Sequence, residues 1–291
     1  VKLLFIDKVK CFETFGDISE WDVSNVTDMS HLFIDNYGYQ SEDYIFNEDI
    51  SNWDMSNVVN TSYMFNEASS FNQPIGKWNV SNVINMSGMF SHATQFNQSL
   101  ADWDVSNVND ISNMFSNADE FDQPIGSWNV SSVMNFSGMF RGAKSFNQNI
   151  SNWDISNANN LSFMFCGAES FNQPIGKWDL KNIIEIRFMF LGAESFNQPI
   201  GDWSVSGITN MEGLFCGACS FNQSISSWDV SKVESMEGMF KGASSFNQDI
   251  SRWNVDKVYE VNEMFYDAVS FDRKIDSWDL SRAWNSWSMY R

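Results

Sequence analysis

Residues 71–95 read FNQPIGKWNVSNVINMSGMFSHATQ, and the same frame returns along most of the chain. A tryptophan stands at 53, 78, 103, 128, 153, 178, 203, 228, 253 and 278, each twenty-five residues after the last. Counted from Trp78, the apolar residues are Val80, Val83, Met86, Met89, Phe90, Ala93, Phe96 and Leu100, and Trp103 then opens the next unit. A period of this size, unbroken over this length, predicts stacked coils instead of one globular core. A second pattern of period fifty overlies the first. QPIG precedes Trp78, Trp128 and Trp178, whereas a Pro-free version precedes Trp53, Trp103 and Trp153. QPIG recurs at once before Trp203, so the array reads as a duplicated two-coil block with one break in its alternation.

With each tryptophan as position 0, the apolar positions 5, 8, 11, 12 and 15 fall within about 120° of one another at about 100° per residue, one stripe of an amphipathic helix. Serine at position 3 (Ser81, Ser106, Ser131, Ser231) suits an N-cap, and glycine at position 14 (Gly142, Gly167, Gly192, Gly217, Gly242) suits a helix stop. Trp and Val at positions 0 and 2, with a polar residue between, read as a short strand with one buried face. The expected fold is therefore an α/β solenoid, a leucine-rich-repeat-like right-handed superhelix with one short parallel strand and one short helix per 25-residue coil. About eleven coils would give a sheet roughly 50 Å long.

Residues 1–17 hold no full repeat and are expected to cap the first coil; repeats run over 18–278. The one insertion, near 34–45, reads as a surface loop whose Tyr37, Tyr39 and Tyr44 are candidate contacts. Residues 279–291 read as a partial last coil or C-terminal cap, with Trp284 and Trp287 as extra aromatic residues. The opening VKLLFIDKV is too short and too charged for a signal peptide, so the chain is expected to be processed or excised from something longer.

A formal charge of −20 argues against nucleic acid and anionic lipid as partners, since both need clusters of Lys and Arg. No run of eighteen apolar residues is present, so no membrane insertion is expected. Cys11, Cys166, Cys216 and Cys219 are expected as isolated thiols; Cys166 and Cys216 share a phase two coils apart, about 10 Å and too far for a bond. His31 and His92 differ in phase and have no evident nucleophile beside them, and phosphate loops are missing. No catalytic, cofactor-binding or metal-binding residue is therefore assigned, and the chain is not expected to be an enzyme.

Stacking turns each position into a row. Position 1 reads Asp54, Asn79, Asp104, Asn129, Asp154, Asp179, Ser204, Asp229, Asn254, Asp279. Two carboxylates about 4.8 Å apart repel by roughly 0.9 kcal/mol in water and about 3.5 kcal/mol at an effective dielectric of 20. Alternating Asp with Asn relieves this. Position −1 adds Lys77, Asp102, Lys177, Asp202 and Arg252 among Asn and Ser. The two rows flank the buried tryptophans and form the candidate partner-binding face; the alternative is that they cap nearby turn amides on a solvated surface. The Asn after each Phe (Asn47, Asn72, Asn97, Asp122, Asn147, Asn172, Asn197, Asn222, Asn247, Asp272) reads as a structural amide ladder between coils. The coil at Trp178 departs most, with Lys181 at the serine position and Glu185 and Arg187 at usually neutral ones.

The pattern I-x-x-W-x-V-S-x-V-x-x-M-x-x-M-F-x-x-A-x-x-F-N-Q, over residues 18–291, resembles the BspA-like leucine-rich repeat family, in particular the mycoplasma-type surface lipoproteins. The resemblance implies display on a cell surface or outside the cell and binding of host or matrix proteins, without catalysis. The expected function is a non-enzymatic protein-recognition or adhesion module using the acidic face, with a protein as partner and a glycan second. The alternative is a structural component of a larger assembly, such as a large-virus particle or a surface layer. No cofactor is implied.

Overall fold

The computed structural model describes residues 7–34, 46–284 and 286–290. Over these, like positions of successive coils lie on one another in register. Backbone contact begins at position 6, where Ile84 donates to the Val59 carbonyl at 2.9 Å, and at position 7 Asn60, Asn85, Asp110, Asn135 and Asn160 pair in turn as parallel bridges. From there alternate N–H groups point to the following coil: Met86 donates to the Asp110 carbonyl at 2.9 Å, Gly88 to Ser112 at 2.7 Å, Phe90 to Met114 at 2.9 Å and His92 to Ser116 at 2.7 Å. The intervening N–H groups close tight turns within the coil, Met89 to Met86 at 3.2 Å, Ser91 to Gly88 at 3.0 Å and Ala93 to Phe90 at 3.0 Å.

This geometry corrects both local expectations. No described coil carries a helix over its Met-Phe segment, and Trp-x-Val is not a strand; the inter-coil pairing sits at position 7 instead. The reason is backbone conformation at positions 10 and 14, which lie in the left-handed region (Gly88 at φ 60°, His92 at 59°). A left-handed residue every fourth position rotates the next peptide plane out of the helical path, so its N–H leaves the coil. A chain of turns closing three residues apart places apolar residues at nearly the helical spacing, which is why the two patterns look alike. Bulky residues pay for that conformation, a cost of about 1–2 kcal/mol each. Where position 10 holds Phe163 and Phe188 (φ 59° and 56°), the rings stack at 5.0 Å, and Phe188 lies over Gly213, where an added Cβ would come within 2.4 Å of its ring.

The interior is an aromatic spine. Position-12 phenylalanines follow one another at 5.5–5.9 Å from Phe65 to Phe265. Each also faces the phenylalanine six residues on, Phe90 meeting Phe96 at 4.1 Å and Phe140 meeting Phe146 at 3.8 Å. Such pairs add about 0.5–1.5 kcal/mol each beyond their buried area. The tryptophans stack where resolved as pairs, Trp78 on Trp103 at 6.5 Å and Trp228 on Trp253 at 6.4 Å. A buried indole N–H needs an acceptor, and it finds one in the preceding coil: Trp78 donates to the Ile50 carbonyl, Trp103 to Ile75 and Trp128 to Leu100, at 2.9–3.2 Å.

The asparagine ladder forms along the return segment. Asn147 Oδ1 accepts the Asn172 N–H at 3.0 Å and the Gln173 side-chain amide at 2.9 Å, and the same pair recurs from coil to coil. At Asp122 a carboxylate does the same work, accepting from Asn147 N–H and Gln148, both at 2.9 Å. Only the acceptor oxygen is therefore needed.

The glycine of QPIG has a packing reason. In the QPIG coils the residue two before Trp is glycine, and an added Cβ would sit 2.2 Å from the Asn149 carbonyl at Gly126 and 2.2 Å from the Pro199 carbonyl at Gly176. Alternate coils carry Ser51, Ala101 and Ser151 at this position.

Before the coils stands α1 (Lys8–Phe15), started by Asp7, whose side chain accepts the Lys10 N–H, and ended at Gly16 (φ 73°). It buries Cys11 in the core, while Trp21 donates to the Phe15 carbonyl at 3.1 Å and Lys8 pairs with Glu48. All four cysteines are free thiols. The expected insertion contacts Tyr37, Tyr39 and Tyr44 lie outside the described residues.

Two stability outcomes follow from these contacts. Gly126→Ala should cost about 2 kcal/mol or more in urea unfolding, because backbone must move, whereas Ala101→Gly at the equivalent position should cost about 1 kcal/mol or less. Asn147→Asp should be nearly neutral and Asn147→Ala should cost about 1–3 kcal/mol by the same measurement, since only the second leaves two donors unpaired.

Candidate recognition face

The rows beside the tryptophans are exposed, but a strand does not present them. Asp54, Asn79, Asp104, Asn129, Asp154, Asp179, Asp229 and Asn254 all point outward, each standing between two buried residues (Trp103 and Val105 around Asp104, for example). Each spends one oxygen on the N–H two residues on. Asp104 accepts from Ser106 at 3.0 Å, Asp154 from Ser156 at 3.0 Å, Asn129 from Ser131 at 3.2 Å and Asp179 from Lys181 at 3.0 Å. These are Asx turns, a local geometry that Asp and Asn reach equally well. They turn the chain out of the tryptophan position and toward the amide at position 4, which reaches back to the preceding coil; Asn107 donates to the Ser81 carbonyl at 2.8 Å and Asn157 to Ser131 at 2.7 Å.

The capping bonds also set the charge. The Ser hydroxyl, then the Ser N–H, hold the carboxyls of Asp54, Asp104, Asp154 and Asp229 below their ordinary value of 3.8. The row is accordingly anionic at neutral pH. At Asp54 the neighbouring Asp22 opposes this, the repulsion expected along a stacked row.

Lys77, Asp102, Lys177, Asp202 and Arg252 are exposed on the other side of the tryptophan row. Arg252 shares a shallow hollow with Ser224, Ser226, Ser227, Gln248 and Asp249. Both predicted rows are thus exposed, and position 1 has the capping role. Among the described residues no group of three or more His, Cys, Asp or Glu side chains could hold a metal ion, and no helix is long and apolar enough to cross a membrane.

A second row escaped the sequence reading. Position 6 exposes Val59, Ile84, Met134, Ile184 and Trp284, with Asn109 and Asn159 on either side of Met134. The available signal was an apolar residue directly after the buried position 5, a place where a one-faced coil should be polar.

Residues 4–124, 98–203 and 185–291 each match the family described as "Mycoplasma protein of unknown function, DUF285". The chain belongs to this family. Its three overlapping matches cover tandem copies of the 25-residue frame, so the family's defining feature is the repeat itself. Comparison with curated proteins and with solved structures finds no match.

The capped carboxylates carry a pH signature. Because their folded pKa values lie below the unfolded ones, their contribution to stability is complete above about pH 4. It is lost as pH falls through the folded values. Replacing Asp54, Asp104, Asp154 and Asp229 together by Asn keeps the caps, as Asn79 and Asn129 do, and should move the acid-unfolding midpoint, followed by tryptophan fluorescence, to lower pH.

Proposed function

We propose that this member of the DUF285 family is a non-enzymatic protein-recognition or adhesion module, built as a leucine-rich-repeat-like right-handed solenoid of the BspA-like kind, with turns in place of the usual helices. Its binding surface is the pair of rows at positions −1 and 1. One observation carries the reading. The same Asx turn recurs from Asp54 to Asp279 in every described coil but that of Trp203, which carries Ser204, while the residue at position −1 changes from Lys77 to Asp102, Ser127, Asn152 and Lys177. A repeated backbone under a changing set of charges is what a surface needs to distinguish one extended partner from another.

The partner is a protein with a basic surface, because the capped carboxylates stay ionised and an acidic field attracts cations and steers basic partners. A glycan would gain less from that field. Display outside a cell fits such a surface. On this reading the chain supplies binding only, and no cofactor takes part.

The test is paired charge reversal, Asp104→Lys with Asp154→Lys. Capture of the partner from extracts of the native source should fall at least tenfold, at a cost in urea unfolding of about 0.5–2 kcal/mol for each lost cap, while Asp104→Asn with Asp154→Asn, which keeps both caps, should weaken capture with urea unfolding little changed. Undiminished capture combined with loss of incorporation into a larger particle on deletion of residues 279–291 would replace this reading with that of an assembly component.

A further inference from the structure

The seams between coils repeat one set of bonds, and one seam lacks part of it. From Asp28 to Glu260 each described coil is bridged to the next at position 7, except where Glu185 and Asn210 fail to pair. The bonds on either side of that bridge are missing too. Ile186 is fully buried, yet among the described residues its N–H has no acceptor. Leu161 and Met211, at the same position in the adjacent coils, donate to the Glu185 and Ser235 carbonyls at 2.8 Å and 2.9 Å. The Thr209 N–H does not reach the Ile184 carbonyl, whereas Ile184 donates to Asn159 at 3.0 Å and Glu234 to Thr209 at 2.7 Å.

Three residues remove the groups that would close this seam. Ser204 stands at the position where Asp179 and Asp229 form the Asx turn. Gly207 stands where Asn107, Asn157 and Asn182 reach back to a carbonyl of the preceding coil. Glu185 is one methylene longer than Asp, and its carboxylate accepts from Arg187 Nε at 3.2 Å; Asn160 and Asn210 instead accept the N–H two residues on. Packing does not require the glycine, since an added Cβ at Gly207 would meet nothing nearer than the Ile183 carbonyl at 3.5 Å.

The rest of the same seam is closed. Phe188, Phe190 and Gly192 donate to the Glu212, Leu214 and Cys216 carbonyls at 2.9, 3.0 and 2.7 Å. Phe190 stacks on Phe215 at 5.6 Å, and the Asn222 N–H donates to Asn197 Oδ1 at 3.0 Å. Across the open part Arg187 approaches Glu212 at 3.9 Å, and a solvent-exposed ion pair holds such a gap weakly. A stack held by nearest-neighbour interfaces opens first where an interface carries the fewest bonds. With the remainder of the coil tied, that opening is a rotation about the tied part.

We propose that the seam between the Trp178 and Trp203 coils is a hinge. Residues 46–202 and 203–284 move as two blocks, which part along positions 1–8 and stay joined from Phe190 onward. The rows at positions −1 and 1 cross this seam, so a partner bound to both blocks fixes the angle between them. The hinge itself does not depend on that reading.

Native-state hydrogen exchange of the full chain, read at single residues as protection factors, is the test. Phe188 makes the cross-seam bond nearest the gap, and it should be at least tenfold less protected than Phe163 in the preceding coil. Gly192 should stay within about twofold of Gly167, because its bond lies in the tied part. A repaired chain carries Glu185→Asn, Ser204→Asp and Gly207→Asn. Its fold is kept, since Asn160, Asp179 and Asn182 already hold these residue types at the same three positions. The repair should bring Phe188 to within about twofold of Phe163 and leave Phe163 unchanged. Equal protection of Phe188 and Phe163 in the unaltered chain would overturn the proposal, as would a deficit at Phe188 that survives the repair. A loss of protection at Gly192 equal to that at Phe188 would also overturn it, in favour of a seam that separates whole.

Discussion

Each coil leaves half of its polar backbone for its neighbour to satisfy. The N–H groups at positions 8, 10, 12 and 14 have no acceptor within their own coil and reach the carbonyls of the next, with a break at Ile186, where the bridge between Glu185 and Asn210 is also missing. An unpaired buried N–H costs about 1–3 kcal/mol, so a slip of one residue would strand several donors at once. The unbroken count of twenty-five from Trp53 to Trp278 follows from this requirement. The one insertion falls between Phe33 and Phe46, after Phe33 has given its N–H to Met64 at 3.0 Å. Extra residues enter where that ladder has already been made.

Side chains reinforce the same register from three directions. Indoles donate to the preceding coil, asparagines accept from the following one, and phenylalanines stack on both. Each contact joins residues about one period apart, so all of them weaken together if the coils shift. Repeat stacks derive stability from nearest-neighbour interfaces of this sort. The outer rows are under no such constraint. Positions −1, 1 and 6 can change from coil to coil, within the limits of an Asx turn at position 1, and the proposed surface lies at the first two.

Much of this was legible. The rows of Trp, Phe, Met and Val were assigned to the interior by phase, and they are buried. The shared phase of Asn47 through Asp272 predicts a ladder, and the Oδ1 of each accepts from the coil after it, from Asn47 to Asn247. Asp and Asn at position 1 suit turn caps, and they make those bonds. The helix over Met-Phe was misread because apolar residues three and four apart describe a helical stripe and a succession of tight turns alike. Glycines at 88, 138, 213 and 238 fall in the middle of that stripe, where they oppose a helix and suit a left-handed turn. Phe163 and Phe188 hide the same signal, since their left-handed backbone is held by ring stacking that no local rule anticipates.

By itself the amino-acid sequence determined the period, the identity of the buried rows and the acidic outer rows, because each is a matter of counting residues in phase. Only the tertiary structure decided where the hydrogen bonds go. A turn that leaves N–H groups unsatisfied is untenable alone and becomes favourable once an identical coil lies against it. That choice moved the pairing from Trp-x-Val to position 7 and set one bond per coil along position 6 from Val59 to Ile184, each N–H meeting the carbonyl of the coil before.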